Sequence, residues 1–213
     1  MSMTNDNSIN ILLKMKRIIL GMVAALMATV SVNAQHEEGD YSIQPRVGVT
    51  FSTFTNDDEA KMKPSLTYGV EGEYYLIDKF SVAAGVLFTN QGAKYSDDDI
   101  TINNYYCAVP ITANYYVLPG LAIKAGLQPA LRVKTNMKVD GKKYDMDRIV
   151  DFLFEGTDVK MNKFDLSVPV GLSYEYQGVT LDARYNIGLT NIFSGVDESM
   201  HNQVVVVTLG YKL

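Results

Sequence analysis

The sequence predicts an all-β fold, an eight-stranded antiparallel up-and-down β-barrel, on the strength of three observations. Apolar and polar residues alternate with a period of two along eight segments, and successive side chains of a strand point to opposite faces. Short turns alternate strictly with long polar connections. The connections lack the helical crossovers that parallel strands need, so neighbouring strands are antiparallel. Closing eight such strands into a barrel would remove the exposed edges of the sheet.

The clearest hairpin lies between residues 164 and 189. In Phe164–Tyr176 the even positions are apolar or aromatic, and most of the odd positions are small, polar or charged. Val179–Leu189 repeats this alternation with the parity exchanged, after Gln177-Gly178. Two residues that include a glycine have the length and chemistry of a tight β-turn. Both strands therefore carry one apolar face and one polar, charged face.

Six further segments show the same alternation. They predict strands at 43–52, 66–76, 80–89, 102–117, 121–133 and 204–213. The other short turns are predicted at 77–79 and 118–120, and the long connections at 55–63, 90–99, 136–162 and 191–202. In the longest connection, Asp147–Phe154 predicts either two helical turns or a β extension. Each proline within a strand removes a ladder donor, which predicts bulges or rim positions at Pro45, Pro110, Pro129 and Pro169.

The N-terminal segment has the pattern of a secretory signal peptide. A basic Met15-Lys16-Arg17 precedes the apolar run Ile18–Val32, and small residues follow up to Ala34. The alternative is a membrane anchor, but the run is shorter than the about 20 apolar residues that span a bilayer. We predict cleavage between Ala34 and Gln35. The predicted regions are 1–34, an N-terminal extension with the signal peptide and a second possible start at Met15, and 35–213, one β-barrel domain.

Composition excludes several classes of function. Charged residues make up 20% of the chain and the net charge is −5, so no nucleic-acid partner is expected. The single cysteine, Cys107, forms no intramolecular disulfide and supplies no metal cluster. No cofactor is predicted. No spacing of Ser, His and Asp indicates a catalytic triad, so no catalytic residue and no enzymatic activity are predicted.

Charged residues of both signs share the polar face of the predicted strands. Facing the lumen of a membrane barrel, they would fill it as a paired network, because eight strands leave an interior just wide enough for side chains. On a soluble barrel the same residues would face water. The predicted lumen charges are Arg46, Glu71, Glu73, Lys124, Arg132, Asp165, Glu175, Asp182 and Arg184.

Three features predict that the apolar face meets lipid. The asymmetry of connection lengths is typical of short periplasmic turns opposite long extracellular loops. The polar face is rich in Gly, Ser, Thr and Ala, which suit a narrow lumen. Aromatic residues on the apolar face cluster near strand ends, as interfacial girdles do. The predicted girdle residues are Tyr74, Phe80, Tyr115, Tyr174, Tyr176 and Tyr211 near the short turns, and Phe51, Phe88, Tyr105 and Phe164 near the long loops.

Four short motifs stand out in these strands: Val109-Pro110-Ile111, Val168–Tyr174, Arg184–Leu189 and Leu209–Leu213. With them, the chain resembles the small outer-membrane β-barrel, or porin family, proteins of Bacteroidota-type Gram-negative bacteria, which have the eight-stranded OmpA/OmpX-like fold. The resemblance covers Tyr41–Leu213 and implies a transmembrane barrel in the outer membrane. In that family the closing strand is read by the barrel-insertion machinery, usually through a terminal aromatic residue, whereas this chain ends in Leu213.

Three functional hypotheses follow. The first is an outer-membrane protein with a structural or surface-interaction role, whose partners are the outer-membrane lipid and an unknown extracellular partner of the loops. The second is a narrow porin-like channel for small solutes. The third is a soluble periplasmic barrel that binds a small apolar ligand. An enzyme on this fold has only analogy in its favour.

Two acidic stretches invite a calcium interpretation. Ser96–Asp99 and Asp140–Asp147 carry carboxylates of the kind that bind Ca²⁺. Neither matches the twelve-residue loop of an EF-hand. We therefore predict solvated acidic loops and no metal site.

Overall fold

The computed structural model describes residues 37–55, 61–95, 100–139, 142–145, 160–194 and 200–213. All of them belong to one compact unit, Ala34–Leu213. The predicted signal peptide, its cleavage site at Ala34 and Gln35, and the segment Asp147–Phe154 lie outside the described residues. In the described part of the chain, no helix has the length and apolarity needed to cross a membrane.

The described residues form thirteen β-strands, and the prediction of an all-β antiparallel fold is confirmed. The strands are β1 (Tyr41–Phe54), β2 (Lys61–Ile77), β3 (Phe80–Gln91), β4 (Ala93–Tyr95), β5 (Ile100–Ala108), β6 (Ile111–Leu118), β7 (Leu121–Val139), β8 (Lys142–Asp145), β9 (Lys160–Met161), β10 (Phe164–Tyr176), β11 (Val179–Gly188), β12 (Phe193–Ser194) and β13 (Asn202–Tyr211).

Eleven of these strands form one sheet, and its ladders return to their starting point. From β1 they run through β2, β3, β6, β7, β10, β11 and β13, and β13 pairs again with β1. Strands β9 and β12 pair in a separate two-stranded sheet. Every long strand in the large sheet therefore has a partner on both sides, which leaves no long edge exposed.

The number of strands differs from the predicted eight for two reasons. One predicted strand, 102–117, is interrupted, and the stretches predicted as long connections contain four short strands, β4, β8, β9 and β12. Strands β5 and β6 are separated at Val109 and Pro110, yet both keep one register with β3: Leu87 lies opposite Ala108, and Ala84 opposite Ile111. Strand β4 continues β3 beyond Gly92, and β8 folds back on the end of β7.

The prediction of bulges or rim positions at the prolines is wrong for three of them. Pro45, Pro129 and Pro169 lie within β1, β7 and β10 in unshifted register with a neighbouring strand. At Pro169 the missing donor instead interrupts the β7 ladder, which has no pairs at Val168 and Pro169. Pro110 separates β5 from β6. The register shifts occur elsewhere, at Tyr75/Ile77, Tyr105/Tyr106 and Tyr116/Leu118.

Side-chain alternation puts polar residues inside the closed sheet and apolar residues outside. In β1, for example, Gln44 and Arg46 are buried, whereas Ile43 and Val47 are 52% and 59% exposed. This is the reverse of a soluble barrel with an apolar cavity. The hypothesis of an apolar ligand inside the barrel is therefore wrong about which face is interior.

The two ends of the sheet differ in their connections. The turns at 78–79, 119–120 and 177–178 lie at one end, here called the turn end. The strand ends that border residues 56–60, 96–99, 146–159 and 195–199 lie at the opposite end, called the loop end. In the turn at Gln177 and Gly178 both residues have positive φ angles, 50° and 79°, as a type I′ hairpin turn requires.

Candidate functional site

The middle of the interior holds a central charge cluster, defined as Arg46, Glu71, Lys124, Asp182 and Arg184. Their side chains are at most 2% exposed and come from β1, β2, β7 and β11. The period-two alternation of each strand turns these residues inward, and the closure of the sheet brings them together.

Each carboxylate of the central charge cluster contacts three cations. Glu71 Oε1 lies 3.0 Å from both Arg46 Nη2 and Lys124 Nζ, and Oε2 lies 3.0 Å from Arg184 Nη2. Asp182 Oδ2 lies 2.9 Å from Lys124 Nζ and 3.5 Å from Arg46 Nη1. Its Oδ1 lies 2.6 Å from Arg184 Nε. Such dense pairing is what offsets the cost of removing charges from water.

A second cluster, the turn-end cluster, consists of Glu73, Tyr75, Tyr116, Glu175 and Lys212. Lys212 Nζ lies 3.0 Å from Glu73 Oε2 and also contacts Glu175 and the Tyr75 hydroxyl. The Tyr116 hydroxyl donates to Glu73 Oε1 at 2.7 Å. The ammonium also lies 5.1 Å from the centre of the Tyr75 ring, within cation–π range.

One glutamine joins the two clusters. Gln44 Nε2 donates to Glu73 Oε2 at 3.0 Å, and Gln44 Oε1 accepts from Arg46 Nη2 at 2.8 Å. Asn114 also donates to Glu73 Oε1, at 2.8 Å. Hydrogen bonds and ion pairs therefore run without a break from the turn end to the middle of the interior.

The remaining predicted lumen charges lie toward the loop end. Arg132 donates through Nε to the Asn162 carbonyl at 3.1 Å and through Nη1 to Thr135. Asp165 Oδ1 accepts from the Thr190 hydroxyl at 2.8 Å. Both charged side chains are buried, but they stand apart from the central charge cluster. The nine predicted residues thus divide among three places, and their role as a lumen network stays a prediction.

Several interior residues were not singled out from the sequence. Lys212 lies on the predicted polar face of the last strand, so alternation alone was a sufficient signal for it. Alternation also puts Tyr75 on the polar face with Glu71 and Glu73, and Tyr116 with Asn114, but neither residue carries a charge. Gln44 is neutral, so a search for charged residues missed it.

The space that remains inside the sheet is small. A cavity of about 10 Å³ is lined by residues that include Thr89, Gln91, Arg184 and Asn186. Each of these four has a buried side-chain nitrogen or oxygen without a protein partner. A polar cavity of this size is about large enough for one water molecule. Around this cavity, the described side chains therefore leave little free space.

The predicted girdle residues all lie on the outward face. Seven are 40% to 51% exposed, and Phe51, Phe80 and Tyr174 are half-buried. Lateral pairing joins some of them in rows: Phe80 lies opposite Tyr115 near the turn end. Their function as interfacial girdles stays a prediction.

Among the described residues, no group of three or more His, Cys, Asp or Glu side chains is arranged to hold a metal ion. Of the two acidic stretches, 96–99 lies outside the described residues, and only 142–145 of the second is described.

Comparison with known proteins identifies an outer-membrane β-barrel family. A family model described as "Outer membrane protein beta-barrel domain" matches residues 33–194. No curated protein matches the sequence.

Similar solved structures include Ail, the attachment invasion locus protein of Yersinia pestis, with 17% identity over 83% of this chain and 99% of that chain, at a TM-score of 0.49. Neisserial surface protein A has 13% identity over 81% and 97% of the two chains, at 0.48. OprG from Pseudomonas aeruginosa has 16% identity over 85% and 99%, at 0.41.

Proposed function

The chain belongs to the outer membrane protein β-barrel domain family, and from this premise we propose that it is a non-conducting transmembrane barrel with a structural or surface-interaction role. Its location is the outer membrane. In this proposal the short turns face the periplasm, the long loops face outward, and the interior side chains act as a permanent plug.

We propose that eight strands surround the barrel. We count β3 with β4 as one strand, because both pair with β2 and with β5. We count β5 with β6 as another, because their register with β3 continues across Pro110. The ladders that return from β13 to β1 support a closed barrel. Large apolar side chains cover the outside, as a lipid-facing surface requires. The Bacteroidota-type assignment rests on the sequence motifs and belongs to the same proposal.

One observation carries the non-conducting role: the ion pairs of the central charge cluster cross the interior. Glu71 on β2 is paired with Lys124 on β7 and Arg184 on β11, so the contacts join strands from different sides of the barrel. An open channel needs continuous water along its axis, whereas the polar cavity beside Arg184 measures only about 10 Å³. A plugged interior fits these dimensions better than a path for solutes.

Two measurements on the same preparation test this function. A closed barrel migrates differently on a gel before and after boiling, and we expect this shift for protein extracted from outer membranes. In planar bilayers we expect no steady conductance from the wild type. The variant Arg184→Ala removes the crossing contact with Glu71 on β2 and the contact with Asp182 on its own strand, and we expect it to raise conductance. Lys79→Ala, in an exposed turn, is the control.

Steady, uniform channels from the wild type would contradict the plug and favour the narrow channel for small solutes. Release of the protein by osmotic shock, without detergent, would contradict the transmembrane barrel itself. We assign no catalytic activity. We also propose that the barrel-insertion machinery binds the closing strand and that an extracellular partner binds the loops.

A further inference from the structure

The ladder between β2 and β3 is interrupted near the loop end. Thr67 lies opposite Thr89, and the next pair in that direction is Met62 with Ala93 of β4. Between these pairs, residues 63–66 of β2 form no ladder with β3. The other side of β2 is continuous, because Ser52 of β1 lies opposite Lys63. The wall of the barrel therefore has a lateral opening at this point.

The chain stabilises this opening from the inside. Pro64 has no N–H to donate. The β3 backbone is instead bonded by side chains of β1: Thr50 Oγ1 donates to the Asn90 carbonyl at 3.0 Å. Ser52 Oγ donates to the Gly92 carbonyl at 2.8 Å and accepts from the Gly92 N–H at 2.9 Å. These bonds draw β3 toward the interior and away from β2.

The opening forms part of a cleft of about 500 Å³. This volume lies within the roughly 300–1,000 Å³ of typical ligand pockets. Its lining combines outward apolar side chains with polar side chains from both faces of the wall. The apolar lining residues are Leu66, Tyr68, Phe88, Tyr105 and Val133, and the polar ones include Lys63, Asn90 and Asn103.

Lys63 puts a buried cation in the cleft. It is 7% exposed, and its ammonium donates to Asn90 Oδ1 at 3.0 Å and to the Gln91 carbonyl at 3.4 Å. Both acceptors are neutral, and no carboxylate of the described residues lies within ion-pair distance of the ammonium. A buried charge with neutral partners is costly compared with one that meets an opposite charge. The cleft therefore suits a ligand with an anionic group and an apolar tail.

We propose that this cleft binds a membrane lipid whose phosphate carries net negative charge, with the phosphate on Lys63 and an acyl chain along Leu66 and Phe88. The inference rests on the proposed transmembrane barrel, which exposes the cleft to the bilayer. Lys63 lies beside the loop-end strand boundary, where lipid head groups meet the barrel, and the apolar residues extend from there along the outer wall. The cation at one end of the cleft thus matches the lipid phosphate, and the apolar side chains beyond it match the acyl chain.

The absence of tryptophan from the chain permits a local test. Phe88→Trp introduces one indole at the cleft, and Tyr185→Trp introduces one on the outward face of β11, across the barrel. Each variant is refolded into vesicles that contain brominated-chain phosphatidylglycerol or brominated-chain phosphatidylcholine at equal mole fraction. Bromine quenches the indole only when the lipid chain contacts it, so quenching reports lipid occupancy at each position.

We expect phosphatidylglycerol to occupy the cleft about fivefold more strongly than phosphatidylcholine, as one cation at a membrane surface provides. At the Tyr185→Trp position the two lipids should quench equally. Lys63→Gln should abolish the preference at the cleft. Lys61→Gln removes an exposed lysine two residues away on the same strand and should leave the preference intact. Inorganic phosphate should not compete.

Equal quenching by the two lipids at the cleft, or equal effects of Lys63→Gln and Lys61→Gln, would overturn the inference. Competition by inorganic phosphate would mean an anion site without a lipid, which also overturns it. Gel migration of the same samples before and after boiling distinguishes a failure of the lipid cleft from a failure of the transmembrane barrel. A retained shift without lipid preference refutes the cleft alone, whereas loss of the shift in the wild type refutes the barrel.

Discussion

At the scale of single residues, the central charge cluster is unequal: three cations share two carboxylates. Glu71 and Asp182 each hold Arg46, Lys124 and Arg184. Removing a carboxylate leaves the three cations with one counter-charge, whereas removing a cation leaves two of each sign. The acids should therefore be more sensitive to substitution than the bases.

We expect Glu71→Gln to destabilise the barrel by about 3–5 kcal/mol, the usual cost of leaving buried charges uncompensated. Lys124→Gln should cost clearly less, because the cluster becomes balanced. Both variants keep a polar side chain of similar size, so they form a matched pair. Urea unfolding in lipid vesicles measures the free energies of unfolding, and equal losses would contradict the unequal charge balance.

The sequence was sufficient to place these charges but not to pair them. Alternation assigned Arg46 and Glu71 to one face, because the period of a strand is a local property. Their contacts depend on the register of strands that are distant in the chain, which local patterns do not encode. Lys212 illustrates this: its partners Glu73 and Glu175 belong to β2 and β10.

At the scale of strands, neighbouring backbones approach closely on the inward face. A Cβ built on Gly69 would lie 2.0 Å from the Val86 carbonyl oxygen, and one on Gly126 would lie 1.9 Å from that of Ile111. No side chain fits at such positions without displacing the neighbouring strand. Gly72, on the same strand as Gly69, differs: its Cβ would meet nothing closer than 3.8 Å.

We expect Gly69→Ala to prevent or strongly reduce folding of the barrel, because the methyl group would overlap the backbone of β3. Gly72→Ala should fold like the wild type. The folded fraction after dilution from urea into detergent, read from the gel shift on boiling, measures both variants. Equal folding of the two would show that β2 and β3 can separate at Gly69.

The strand breaks could not be predicted from the sequence for a related reason. Pro110 indicated where a break would occur, but the sequence did not show that β5 and β6 keep the same register with β3 on both sides of it. At the register shift at Tyr105/Tyr106, the alternation of β7 changes phase. Even-numbered residues up to Arg132 point inward, but beyond it Thr135 rather than Lys134 is buried. The lateral opening depends on Thr50 and Ser52 of β1 reaching β3, a contact across an intervening strand.

At the scale of the whole molecule, the two ends of the barrel differ, and the proposed orientation puts the turn end in the periplasm. A background without Cys107 allows single cysteines to report this. We expect a membrane-impermeant maleimide to label Ser199→Cys on intact cells, because 191–202 is a predicted extracellular loop. Lys79→Cys, in an exposed turn, should react only after the outer membrane is permeabilised. The reverse pattern would invert the orientation.

Lys212 neutralises two interior carboxylates, and it can do so only when the last strand has closed the barrel. Strand β13 is the only described strand that pairs with both β1 and β11, and Lys212 directly follows it. Until β13 is in place, the Glu73 and Glu175 carboxylates lack the ammonium that lies between them, and the sheet has two open edges. A chain that lacks β13 therefore has two sources of instability, the unpaired carboxylates and the open edges. Partial barrels should be sparsely populated, and closure should be cooperative.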